Sequence, residues 1–326
     1  MSHFTFVVND DPYSLWDPDP SHRTNEFLDS IDPGFFSYIA KSHAENLDSP
    51  EHVRRVATAT RMAYLHGIET LMTLAGAAVQ APQAPYAWVC LAKTDLLRAV
   101  VARISKGDPT LHTELVQWDR TWEGMARRVF SHCTQENDWP KTAESFGRVW
   151  RIFANEFLNE LNQLEYNSLK HGFRIKSSGV KLAFGLEHQY GVAPPPEEMK
   201  YLGGSDTGST FYAIERAGPD MPGTRSKRSR WRTVNWEPEP MLRGLQVLDV
   251  SIRNIVAFIR IANGAQPNSI QFHRLEGVTD LAALLEDSVS VRTSSLDTFI
   301  PDADVPVTTR AQLLDEIKQT FATPKE

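Results

Sequence analysis

Apolar residues recur at helical spacing through most of the first 172 positions, and beyond them the pattern changes to alternation broken by turn residues. The spacing predicts helices near 23–30 and 35–47, then a long helix capped by Ser49-Pro50-Glu51 and running to about Val79, where Pro82 and Pro85 end it. Further helices are predicted over 86–105, closed by Gly107-Asp108-Pro109, over 110–134, and over 140–171, stopped by Gly172. Alternation predicts strands over 173–184, 210–216 and 229–236. Pro194-Pro195-Pro196 and the stretch GGSDTGST at 203–210 read as flexible connections; the latter lacks the Gly-Lys-Ser/Thr ending of a phosphate loop. A strong helix over 238–263, closed by Gly264, follows, with short elements near 278–286 and 309–321.

The architecture this implies is mainly α: a helical bundle with a small inserted antiparallel β-sheet. Residues 1–22, rich in Asp-Pro pairs and aromatics, read as an extended arm without regular structure. Residues 23–172 form the bundle, 173–237 the β-rich insertion, 238–264 a helix returning to the bundle, and 265–326 a tail with short elements.

Composition narrows the function. With 326 residues, 41% of them hydrophobic and 23% charged, the chain can bury a core. A formal charge of -7 opposes nucleic-acid contact over the whole surface, so any such site must be local. Cys90 and Cys133, the two cysteines, stand apart from any metal-ligand spacing and read as reduced thiols. The first residues lack the basic start and apolar run of an export signal, and the longest apolar stretch, around 71–79, is too short for a bilayer. The cytoplasm is the expected compartment, and no membrane partner is expected.

Polar groups inside apolar helices are the candidate chemistry. Over 62–79 nearly every residue is apolar or small, yet His66, Glu69 and Thr73 fall on one stripe, within about 60° of one another at about 100° per residue, with Arg55 in line. They form either a site or a satisfied structural network. In the later helix, Glu160, Asn167 and His171 share an edge beside the stripe Phe153, Phe157, Leu161 and Leu164. His171 lies in the last turn, where the helix dipole favours an imidazolium, and Lys170 and Arg174 add positive charge; anion binding and simple C-terminal capping both fit.

The run Tyr166-Asn167-Ser168-Leu169-Lys170-His171-Gly172 resembles the signature of the HEPN superfamily, helical bundles that include RNA-cleaving toxins and antiviral-defence proteins. Members with ribonuclease activity carry Arg, a polar residue often Asn, a few positions and then His; Asn167 and His171 fit, and Tyr166 stands in the Arg position. Arg61-Met62-Ala63-Tyr64-Leu65-His66 shares the Arg-to-His spacing, but on a continuous helix its two ends point about 140° apart. The resemblance implies metal-independent RNA cleavage with His171 as general acid or base, Asn167 orienting it, and Lys170 or Arg174 stabilising charge on the scissile phosphate. It also implies a homodimer.

A last feature is the cationic run Arg225, Lys227, Arg228, Arg230 and Arg232 with Trp231 inside it, suited to a phosphate backbone and a stacked base. Alternating Arg228, Arg230 and Arg232 also suit the solvent face of an edge strand. His66 and Glu69 could supply two ligands to a metal, with His171 as a third if the helices meet, but their order reverses the usual Glu-x-x-His, and no cofactor or metal is expected. Two readings result: a HEPN-like RNA-directed protein, and a non-catalytic helical module that binds a protein partner or a nucleotide.

Overall fold

The computed structural model describes residues 2–47, 49, 51–115, 118–133, 138–172, 174–218, 223–286, 293–294 and 305–322. They fall into two units: one of Met1–Tyr166 with Glu237–Val291, the other of Asn167–Trp236 with Arg292–Glu326. The fold is mainly α with small antiparallel sheets, as the hydrophobic pattern predicts.

The first unit opens with a hairpin, β1 (Ser2–Val8) and β2 (Asp11–Asp17), where the sequence suggests an unstructured arm. Phe6 and Val8 alternate inward and are buried, and Asn9 supplies the left-handed turn at φ 59°. Buried Gln80 fixes that turn: its Oε1 accepts from the Asn9 amide at 2.8 Å and its Nε2 donates to the Asn9 carbonyl at 3.0 Å. The Asp-Pro pairs belong to the hairpin and to the Asp19 cap of the next helix, which accepts from the His22 amide.

Helices α1 (Pro20–Ser30), α2 (Gly34–Ala44), α3 (Val53–Gln80), α4 (Pro85–Leu91), α5 (Thr94–Ser105), α6 (Trp122–Phe130) and α7 (Trp139–Leu158) follow. The expected cap of α3 lies partly on residue 50, outside the described residues; the helix starts at Val53, whose amide donates to the Ser49 carbonyl. The expected helix over 86–105 is two helices, because Lys93 is extended at ψ 156°. The expected helix over 110–134 shortens to α6. Thr113 turns its hydroxyl to the Val79 carbonyl, Arg120 takes φ 57°, and Thr121 caps α6 by accepting from the Gly124 amide. The expected helix over 140–171 breaks at Asn159, giving α7 and α8 (Glu160–Lys170). Asn159 Oδ1 accepts from the Leu161 and Asn162 amides, while Arg98 donates to the freed carbonyls of Phe157 and Leu158.

In the second unit, β3 (Ile175–Ser177), β4 (Lys181–Phe184), β5 (Lys200–Gly204), β6 (Gly208–Arg216) and β7 (Lys227–Asn235) make up the β-rich insertion. Residue 173, the expected start of the first strand, is outside the described residues. Gly203-Gly204 and Gly208-Ser209-Thr210, read above as a flexible connection, are strand residues, with Ser205 and Thr207 hydrogen-bonded between them. Asn235 clamps Val180 at both amide and carbonyl. The chain then returns to the first unit as α9 (Pro238–Ala262) and α10 (Leu281–Glu286), and ends in the second with β8 (Thr293–Ser294) and α11 (Arg310–Ala322). The main sheet has strand order β3-β6-β7-β8, and β4 pairs with β5 separately.

The centre of the first unit is α3, packed by α2, α4, α5, α7 and α9. A β-carbon built on Gly76 would stand 2.4 Å from the Trp88 ring, whose indole is fully buried and donates to Gln80. Gly76→Ala therefore sets a helix-propensity gain of about 1 kcal/mol against an overpacking cost of about 1–3 kcal/mol. Because the rigid, buried indole cannot swing away, we expect a net loss of stability, read as a lower thermal midpoint; a stabilised variant would refute this packing account.

Candidate functional site

One helix, α3, carries four polar side chains that are answered from residues 156–166. Arg61, 2% exposed, donates from Nε (3.0 Å) and Nη2 (2.7 Å) to Oε2 of Glu165, and from Nη2 to Asn162 Oδ1 at 3.0 Å. Burial pulls the guanidinium pKa down, but the charge and hydrogen bonds of Glu165 outweigh it and the net direction is up. Three residues on, buried Tyr64 donates to Glu156 at 2.8 Å; burial pushes both the phenol and the carboxyl pKa up. The Arg-to-His spacing of 61–66 thus brings no catalytic pair together, since α3 is continuous and Arg61 is locked to Glu165.

His66 and Glu69 do meet, through a third residue that the sequence analysis did not assign to them. The Tyr166 hydroxyl donates to Glu69 Oε2 at 3.0 Å and lies 3.0 Å from His66 Nδ1. Because that hydroxyl has one proton and gives it to the carboxylate, Nδ1 carries the imidazole hydrogen and donates it. Burial, with the neighbouring Glu69 charge, pushes the Tyr166 pKa far up, so the phenol stays protonated. His66 is exposed at the surface and Glu69 half-buried. Thr73, on the same stripe, turns its hydroxyl to the Glu69 carbonyl. Glu160 does not join them; it is exposed in the first turn of α8, near Arg98.

Within the second unit, Asn167 and His171 stand one turn apart at the end of α8, the His171 amide donating to the Asn167 carbonyl at 3.1 Å. Gly172, at φ 96°, ends the helix, and the Arg174 amide closes on the Ser168 carbonyl at 2.7 Å. His171 and Arg174 are exposed, Asn167 and Lys170 half-buried. Asn235 and Asn254 serve the structure: Asn235 holds Val180, and Asn254 exchanges two hydrogen bonds with the His273 backbone.

The cationic run divides. Successive strand residues point to opposite faces, so Arg228, Arg230 and Arg232 lie on one side of β7 and Lys227, Ser229 and Trp231 on the other. The three arginines are not on a solvent face: their side chains are 17–21% exposed and gather around Glu215 of β6, with Arg232 at 2.6 Å and Arg230 at 3.3 Å. β8 flanks β7 only at Thr233 and Val234, and along 228–232 β6 alone is paired to it among the described residues. The opposite face is open. There Tyr212 pairs with Trp231, ring centroids 3.9 Å apart, and both are exposed together with Ile214. Register adds Lys176 at one end, opposite Thr210, and Arg216 with Lys227 at the other. Among the described residues of β3, β6 and β7, this face carries no Asp or Glu. Arg225, outside the strand, is exposed, its amide donating to the Thr308 carbonyl at 2.9 Å.

No protein-family model, curated protein or solved structure matches the chain. Among the described residues, no group of three or more His, Cys, Asp and Glu side chains is placed to hold a metal, and no helix is long and apolar enough to cross a membrane.

The Arg61–Glu165 pair permits a direct energetic test. Removing one partner leaves an uncompensated buried charge at a cost of about 3–5 kcal/mol, whereas replacing both with apolar groups of similar volume is near neutral. We expect Arg61→Met to lower the urea midpoint strongly and Arg61→Met with Glu165→Leu to recover most of it; a double variant as unstable as the single would contradict the pairing.

Proposed function

We propose that this chain is a nucleic-acid-directed protein whose second unit holds single-stranded RNA across the open face of β6 and β7. The observation that carries the reading is that face itself: two exposed aromatic rings in contact, 3.9 Å between centroids and tilted by 42°, flanked by cations, with no acidic residue among the described strand positions of that face, in a chain of net charge -7. Bases stack on aromatic rings irrespective of sequence, and flanking cations follow the phosphates. From the level of Thr210 to that of Arg216 the strand runs roughly 20 Å at about 3.3 Å per residue, room for several nucleotides. The shielded arginines around Glu215 would then serve the sheet, and Trp231, Lys227, Lys176 and Arg216 the ligand.

Cleavage in this reading falls to His171, exposed just before the chain enters β3. It would act as general acid or base at the 2′-hydroxyl or the leaving oxygen, with Asn167 orienting it and Lys170 or Arg174 beside the phosphate. This follows the HEPN resemblance, as does assembly into a homodimer.

A second reading, a non-catalytic module for a protein partner, is favoured by one observation. The β4–β5 ribbon and its connection expose Leu182, Phe184, Leu186, Tyr190, Tyr201 and Leu202, an apolar surface of the kind that protein partners cover.

The first reading is tested by fluorescence anisotropy with a labelled single-stranded RNA. We expect Trp231→Ala and Tyr212→Ala each to weaken binding by roughly 5- to 150-fold, the range of about 1–3 kcal/mol per stacked base, while Trp16→Ala, exposed in the first unit, leaves it unchanged. Loss of no affinity in either sheet variant would remove the stacking site. In EDTA, wild-type protein should cut a long RNA and His171→Ala should not; binding without cutting would leave the non-catalytic reading.

A further inference from the structure

The first unit holds a recess of about 340 Å³ that the RNA reading does not use. Its polar wall is a stretch of α3, with His66, Glu69, Thr70 and Thr73; Phe27 and Ile31 from the α1 end, Leu74, and Val89 and Leu97 from α4 and α5 form the apolar remainder. The helix break at Ala92 and Lys93 lies on this wall: by separating α4 from α5 it places Ala92 and Thr94 along the recess.

The hydrogen-bond directions in that wall select a ligand class. Thr70 gives its hydroxyl proton to the His66 carbonyl at 2.9 Å, and Thr73 gives its own to the Glu69 carbonyl at 2.7 Å. Both side-chain oxygens therefore face a ligand as acceptors. Glu69 accepts a hydrogen bond from Tyr166 at one oxygen, and a carboxylate has sites for several more donors. The His66 ring meets the Tyr166 hydroxyl through Nδ1, which leaves Nε2 for the recess. The lining contains one carboxylate and no Lys or Arg. A carboxylate or phosphate ligand would meet like charge and lone pairs, whereas an ammonium offers three donors and the complementary charge.

We propose that this recess binds a small organic ammonium, a primary amine joined to a compact apolar body, with the head at Glu69, Thr70 and Thr73 and the body against Phe27, Leu74 and Leu97. Size agrees. A cavity of about 150 Å³ holds benzene, so this one has room for an aromatic ring with a short aminoalkyl arm. The Tyr166 hydroxyl acts as a positioning group: by holding the Glu69 carboxylate and the His66 ring in fixed orientations, it spares the ligand the cost of ordering them.

Isothermal titration calorimetry on the full chain tests the proposal with three probes of one shape: phenethylamine, 2-phenylethanol and 3-phenylpropionate. The amine should bind, the alcohol at least ten-fold more weakly, and the acid not measurably. Glu69→Gln, which keeps shape and removes charge, should weaken the amine at least ten-fold. Ala92→Phe, which fills the recess without touching the hydrogen-bonded wall, should abolish binding and serves if Glu69→Gln does not fold. Tyr166→Phe should weaken the amine and narrow its advantage over the alcohol. The proposal is overturned if the acid binds as well as the amine, if Ala92→Phe binds the amine unchanged, or if no probe binds at millimolar concentration. RNA binding by the second unit is unaffected by any of these outcomes.

Discussion

A helix enclosed by five others can carry a buried guanidinium and a buried phenol only if each finds a partner, because an unanswered polar group in such a place costs more than a folded domain can readily spare; the exposed imidazole and half-buried carboxylate further along it are partnered as well. In α3 those partners come from one short stretch. Glu156 takes Tyr64, Asn162 and Glu165 take Arg61, and Tyr166 takes both His66 and Glu69. The break at Asn159 starts α8 within this stretch, between Glu156 and Asn162, and Asn162 also donates to the Glu156 carbonyl. The interruption of the helix and the satisfaction of α3 are thus linked: capped by Asn159 on one side and by Arg98 on the other, the kink is held by hydrogen bonds that a continuous helix would not need.

The second unit is governed by a different constraint, the two-residue period of a strand. Five cationic or aromatic residues close together in sequence are assigned by that period to two faces with opposite fates. Arg228, Arg230 and Arg232 turn to Glu215, which offsets part of their charge, and Trp231 turns outward to Tyr212. An acidic chain can present a cationic, aromatic surface in this way because its carboxylates are kept off one face of one sheet.

Much of the fold was legible because it rests on local periodicity: α3 and α9 lie close to their expected bounds, as do β6 and β7, and Gly172 and Gly264 end helices with positive φ as their positions suggested. Elements decided by distant partners were not. The hairpin at the N-terminus depends on Gln80, and the irregular stretch before α6 on Thr113 meeting Val79. The site was legible in part. His66 and Glu69 share a stripe, so their proximity could be read, but Tyr166, about a hundred positions away, reaches them only through tertiary packing. Its position was marked all the same, by the resemblance expected for residues 166–172 on their sequence. Tyr212 had a weaker signal: its pairing with Trp231 requires the β6–β7 register, which no single strand reveals.

RNA binding at the open sheet face is tested most directly by photochemical crosslinking followed by peptide sequencing, which reads that face without any variant. With a uridine-rich single-stranded RNA on the intact chain, crosslinks should concentrate on Tyr212, Trp231 and Lys227 and be competed away by unlabelled RNA. Crosslinks confined to the first unit, or to the arginines that gather around Glu215, would contradict it.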